Sequence, residues 1–377
     1  MVWTMKRALT RLTLFATAAT AIAAASTAVP AAAQVSSPAA APVRAADGDW
    51  RQVGLPFLWP NAGLIDVSAT GPSDVWVAGL QGSFCIPQIA SWGCYAKSDG
   101  NPVVRRWNGS GWQEYPLPGW SGNGPMTAVG TAAPDDVWVS SQGYYEQPKY
   151  LAHFDGSAFT RIQPPTPNTP FKVFAGAAGT WLSSGSGETA LYRWTGGGWQ
   201  FAEGTGLSYV VDLRARTATD AWAVGSRADG HAALAHWDGR SWQPVDYPSD
   251  THTLHRVLPI SANDVWVSVG GAAYVTHWNG SAWSQVDLPS GVTSVDLAAD
   301  GSGTVWAGGQ EYVTVDGYSK RRPVLLSYSG GTWQRTPVSM PWGADEMGIA
   351  ELARVPGTGA LWLVANSSTG PVVLTKD

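Results

Sequence analysis

Six copies of a glycine-centred aromatic hairpin, seven tryptophan-centred strands between them and no helical periodicity together predict an all-β fold. Four-stranded antiparallel blades repeated around an axis, a β-propeller, satisfy all three observations. The hairpin copies are RWNGSGW (106–112), HFDGSAF (153–159), RWTGGGW (193–199), HWDGRSW (236–242), HWNGSAW (277–283) and SYSGGTW (327–333). Each keeps its glycine (Gly109, Gly156, Gly196, Gly239, Gly280 and Gly330), and a shortened copy, DGDW, ends at Trp50. The second stamp, PSDVWVAG at 72–79 and its relatives, centres on Trp76, Trp138, Trp181, Trp222, Trp266, Trp306 and Trp362. Spacings of 40–62 residues between these tryptophans fall in the range of propellers and solenoids.

Each period divides into four short pieces, which in the fourth copy are VVDLRA, DAWAVG, ALAHW and SWQPV. Alternation of apolar and polar residues with Val, Trp and Leu favours strands. The Asp-Gly or Asn-Gly between the last two supplies the positive φ angles of a tight hairpin. Seven second-strand tryptophans stand against six full hairpin copies, and the C-terminal piece (IAELARV, ALWLVA, PVVLTKD) has three strands and lacks a fourth. The segment DWRQVGLP around Trp50 supplies it, so the register predicts seven blades with the N-terminal strand closing the last, and six blades as the alternative.

The stretch AHWDGRSW holds His236, Asp238 and Ser241, the residue types of a nucleophilic hydrolase. Other copies place Arg106, Arg193 or Ser327 at the histidine and Gly111, Ala158 or Ala282 at the serine, so the stamp is scaffold. Asp74, Asp136, Asp220 and Asp264 precede the second-strand tryptophans and are expected to bond backbone amides of the adjoining turn. No dense carboxylate loop suggests calcium, and no metal or cofactor is expected.

Residues 1–33 read as a secretory signal peptide: Lys6, Arg7 and Arg11 precede an Ala-rich apolar run ending at Ala31-Ala32-Ala33. Residues 34–46 form a Pro/Ala-rich linker, leaving 47–377 for the propeller. The apolar run is too short to span a bilayer, so no membrane insertion is expected. Removing the three cations from a net charge of −5 leaves −8, which disfavours nucleic acid. Cys85 and Cys94 suit a disulfide in an oxidising, extracellular setting, worth about 2–3 kcal/mol by chain entropy.

The two stamps resemble secreted bacterial propeller repeats of the form (N/D)DVWxVG…HWDGxxW, common in actinobacterial proteins. They are similar to the Asp-box hairpin of sialidases and some lectins, although no copy has the full Ser-X-Asp-X-Gly-X-X-Trp order. The resemblance covers residues 47–377. Such propellers include lectins, among them glycan-binding subunits of secreted toxin particles, as well as lyases and glycosidases. Fold does not choose among these.

Function is expected where the repeat breaks. Insertions at Leu80–Asn101, Gln142–Lys149 and Gln310–Arg322 fall between second and third strands, on the face shared with long connections such as Leu117–Pro125 and Ser339–Met347. That face carries aromatics the blade pattern does not require: Trp59, Trp92, Trp120, Tyr144, Tyr145 and Trp342, with Tyr312 and Tyr318. Rings flanked by Gly, Asn and Asp suit a pyranose, and they equally suit packing of loops onto the rim. The expected partner is a cell-surface glycan or polysaccharide, with other secreted subunits of a larger toxin assembly. The alternatives are a glycoside hydrolase or lyase using His252, His255, Glu311, Asp345 or Glu346, and a protein-interaction platform without sugar binding. A further column, Asp66, Ala128, Lys172, Asp212, Arg256, Asp296 and Glu351, is expected on the innermost strands beside the channel, as a solvated layer of mutually compensating charge or as a polar pocket for a ligand or cation.

Overall fold

The computed structural model describes residues 50–377 apart from 88–93, 143–148, 167–170, 185–189 and 249–251. The signal-peptide and linker assignments (1–33 and 34–46) lie outside the described residues. So do Trp92, Tyr144 and Tyr145.

The described residues form seven four-stranded antiparallel sheets, one two-stranded hairpin and no helix. Within a sheet the chain runs inward to outward; the first sheet uses Gly63–Gly71, Asp74–Gln81, Asn101–Trp107 and Trp112–Glu114. The seventh takes Met347–Arg354, Leu361–Ser367 and Gly370–Lys376, then borrows Trp50–Gln52 as its outer strand. There Trp50 pairs with Lys376 and Gln52 with Leu374. The first strands of successive sheets touch in cyclic order, and that of the seventh touches that of the first. No helix among the described residues is long and apolar enough to cross a membrane.

The two sequence stamps meet at the sheet interfaces. Trp76, Trp138, Trp181, Trp266 and Trp362 each pack on the aromatic pair that flanks the hairpin of the next sheet. Trp138 meets Trp194 and Trp199 at 5.2 and 5.5 Å, and Trp181 meets Trp237 and Trp242 at 5.1 and 5.2 Å. Trp306 meets Trp50, and Trp362 meets Trp107 and Trp112, which returns the packing to the first sheet. The repeat therefore encodes interfaces, and each hydrophobic cluster draws residues from two neighbouring sheets.

The aspartates before the tryptophans do something other than expected. Asp136 Oδ1 accepts the indole N–H of Trp138 at 2.7 Å and contacts His153 Nε2 at 3.0 Å. Asp264 does the same with Trp266 and His277, and Asp220 with Trp222 and His236. In the first sheet Arg106 replaces the histidine, donating to Asp74 from Nε at 2.6 Å. The expected bonds to turn amides are corrected: the indole N–H two residues along the same strand and a histidine or arginine on the neighbouring strand compete better for the carboxylate. The hairpin is also refined. Only its glycine takes positive φ, 95° at Gly239, while Asp238 accepts the N–H groups of Arg240 and Ser241. His236 is thus committed to Asp220 and Asp238 to its own turn, and no triad forms.

Five first strands carry a β-bulge before their column residue, at Asp66, Asp212, Arg256, Asp296 and Glu351. A bulge interrupts the ladder and re-aims the side chain that follows. Glycine faces the bulge where backbones crowd: a Cβ on Gly225 would lie 1.8 Å from the Tyr209 carbonyl oxygen. Gly225→Ala is therefore expected to cost about 1–3 kcal/mol, because the obstacle is backbone. Urea denaturation checks this, and an unchanged midpoint refutes it.

Candidate functional site

The column predicted from sequence is real. Asp66, Ala128, Lys172, Asp212, Arg256, Asp296 and Glu351 each pair with the residue two after their sheet's tryptophan, for example Asp66 with Ala78 and Glu351 with Val364. Three carboxylates bridge to the first strand of the next sheet. Asp66 Oδ2 accepts from Val129 N at 2.9 Å, Asp212 Oδ2 from Val257 N at 3.0 Å and Asp296 Oδ2 from Leu352 N at 2.5 Å. These bonds satisfy N–H groups on the innermost strands, which have no further strand to pair with.

The charges are not simply solvated. Arg214, two residues after Asp212, reaches across the channel as a crossbar. Its Nε lies 3.1 Å from Asp212, and its Nη2 lies 2.6 Å from Asp296 and 3.0 Å from Glu351. Arg256 meets the same two acids, Glu351 at 2.9 Å and Asp296 at 3.2 Å. Four acids (Asp66, Asp212, Asp296, Glu351) face three cations (Lys172, Arg214, Arg256), and the layer balances when one of the acids keeps its proton, a role that falls to Glu351. Burial pushes the Glu351 carboxyl up to about 8 despite its two guanidinium partners, and Asp296 and Asp66 push the same way. Burial also raises Asp66. For Asp212 burial works upward too, but Arg214 and Arg256 outweigh it and hold it low.

A group that keeps its proton in the folded state destabilises the fold as pH rises. Glu351 therefore lowers stability between its ordinary 4.5 and about 8. His255, held low by burial, works oppositely below its ordinary 6.5. Between pH 6.5 and 8 the Glu351 carboxyl acts without that opposition, at up to about 1.4 kcal/mol per pH unit. Thermal midpoints of Glu351→Gln should fall less steeply with pH over this window than those of the parent chain. Parallel curves would show that Glu351 is already ionised.

Below the crossbar lies a cavity of about 690 Å³. Its wall combines the channel layer (Asp66, Lys172, Asp212, Arg214, Glu351) with small apolar residues such as Ala69, Ala133, Ala175 and Ala215. It runs toward Pro134, Gly176 and Pro356, at the turns between first and second strands. That is the end opposite the insertions.

At the loop-rich end, the predicted aromatics differ in setting. Trp342 is 98% exposed and Trp59 61% exposed. Trp59 packs edge-on against exposed Phe57, and its backbone N–H donates to Gln81 Oε1 at 3.1 Å. Trp120 is half-buried, with its ring against Tyr150 at 5.4 Å and its indole N–H on the Gly122 carbonyl. Tyr312 and Tyr318 are exposed on the long hairpin Val305–Val315/Tyr318–Ser329. That hairpin is tied to the Trp342 loop by Lys320–Asp345 at 2.6 Å and Arg321–Glu346 at 2.9 Å. Cys85 and Cys94 form the expected disulfide, in the two-stranded hairpin.

The loop carboxylates weighed for hydrolysis are engaged elsewhere. Glu311 receives both Nη atoms of Arg335 at 3.1 and 2.7 Å, and Asp345 and Glu346 hold the ties just described. His255 sits at a bulge with Nδ1 buried and unbonded among the described residues. The described residues contain no cluster of three or more metal-ligating side chains.

No family model matches the chain, and no curated protein matches it. Solved structures do. YCF48 bound to D1 peptide aligns over 89% of this chain and 99% of its own, at 17% identity and TM-score 0.56. The WD40 β-propeller domain of Doa1 aligns over 86% of this chain and 95% of its own, at 10% identity and TM-score 0.54. The chain has a β-propeller fold. Virginiamycin B lyase from Staphylococcus aureus, at 12% identity and TM-score 0.59, aligns over 85% of this chain and 98% of its own. At such identities the likeness is one of fold, and a propeller that binds a peptide and one that is a lyase share it.

Proposed function

We propose that this chain is a secreted seven-bladed propeller that binds a partner at its loop-rich end, as a targeting or adaptor module without catalysis. Seven four-stranded sheets whose inner strands touch in cyclic order support the blade count. A basic, Ala-rich leader and the Cys85–Cys94 bridge support export. The observation that carries the binding reading is Trp342, 98% exposed on a loop pinned by two ion pairs to a hairpin bearing exposed Tyr312 and Tyr318. Preorganised exposed rings lower the entropy cost of binding, and a cell-surface glycan is the partner such rings suit. Membership of a larger secreted toxin assembly belongs to the same reading.

A second reading, a protein-interaction platform, is favoured by Phe57, Trp59, Phe84 and Ile86. These are exposed apolar groups on segments joined by the Asn61 and Ser83 hydrogen bonds. The peptide-bound YCF48 structure shows that a propeller of this kind can hold a peptide. A glycan array with Trp342→Ala as the paired variant separates the readings. Loss of about 2 kcal/mol, roughly thirtyfold in affinity, with an unchanged melting temperature supports the glycan. An array blank for both chains, with a secreted protein captured by the parent, supports the platform.

A further inference from the structure

We propose that the central cavity is a binding site for a small zwitterion with an apolar body, of the class of free apolar α-amino acids. The channel layer divides into two halves. On one side Asp212, Asp296 and Glu351 are saturated by Arg214 and Arg256. On the other side stand Asp66 and Lys172, separated in the column by Ala128. Asp66 accepts two backbone N–H bonds, from Val67 and Val129, and has no ion-pair partner among the described residues. The Lys172 ammonium lies 5.0 Å over the Phe174 ring and makes no hydrogen bond or ion pair among the described residues.

Both groups line the same cavity. A carboxylate and an ammonium that share a half-buried wall without closing on each other are each short of a partner, and unpaired buried charge is costly. A ligand bearing both charged groups on one carbon supplies both partners and leaves the net charge of the layer unchanged. A lone cation or anion supplies one and disturbs the balance. The volume accommodates more than a charged head, and Ala69, Ala133, Ala175 and Ala215 offer small apolar walls to a side chain. This site is at the opposite end from Trp342, so it stands or falls independently of glycan recognition.

The test is isothermal titration of the mature chain with L-leucine and L-phenylalanine, with their amides, which lack the carboxylate, and with their N-acetyl forms, which lack the ammonium. The zwitterions are expected to bind one per chain, and each blocked form at least about tenfold more weakly. Lys172→Met and Asp66→Asn should each cause a similar loss. Asp66→Asn retains an oxygen acceptor, and its melting temperature reports whether it folds; Lys172 bears no hydrogen bond whose removal endangers folding. Equal binding of the amides would make the site a cation site, and equal binding of the N-acetyl forms an anion site. Either result overturns the proposal, as does the absence of saturation up to about 10 mM or undiminished binding by Lys172→Met.

Discussion

Trp181→Ala is expected to lower unfolding free energy by about 3–5 kcal/mol. The ring is 1% exposed and lies between Trp237 and Trp242 of the following sheet, with the Arg193 guanidinium 5.4 Å from its centroid. Truncation removes two edge-to-face contacts and a cation–π contact in addition to the transfer energy of the ring. Because Trp237 and Trp242 both belong to the following sheet, they cannot collapse into the void without tilting that whole sheet. Trp181→Phe should recover a substantial part. Urea unfolding of the two variants decides the matter, and a loss under about 1 kcal/mol for the alanine variant would mean the interface is not where stability resides.

Arg214→Met should be equally severe, about 3–5 kcal/mol at neutral pH, for an electrostatic reason. Asp212, Asp296 and Glu351 all converge on this guanidinium, so its removal leaves three buried acids to share Arg256 and Lys172. Acid should relieve the defect, since protonating those groups removes the repulsion. The gap between variant and parent is therefore expected to narrow toward pH 5, and adding Glu351→Gln should restore part of the loss. A gap independent of pH would instead assign the effect to packing of the arginine stem.

Much of the architecture was legible because it was written several times. The hairpin glycines, the second-strand tryptophans and the channel column each recur, so a register error would have to be made in every copy at once. What sequence reasoning missed is long-range. Asp136 was assigned to its local turn because its true partner, His153, lies on a strand 17 residues away. The polar pocket at the column comes second in a reading of the sequence, behind a solvated channel of compensating charge, because repeated strands read as scaffold, although those strands form the channel wall. Arg214 was the overlooked signal: a cation two positions after a column acid, in RART, where no other copy places one. The exposure of Trp342 and the half-burial of Trp120 depend on loop packing, which aromatic content alone does not set.

The seam between Trp50–Gln52 and Gly370–Lys376 carries a temporal consequence. Arg51 and Asp377, joined at 3.1 Å, are 326 positions apart. At roughly 5–20 residues per second of synthesis, the earliest strand waits some 15–65 s for its neighbour to exist. Until then the nascent chain has an unclosed circle with two bare flanks, each able to recruit a strand from another copy. Premature truncation ahead of residue 370 is thus worse than the loss of one strand, because it leaves the circle permanently unclasped.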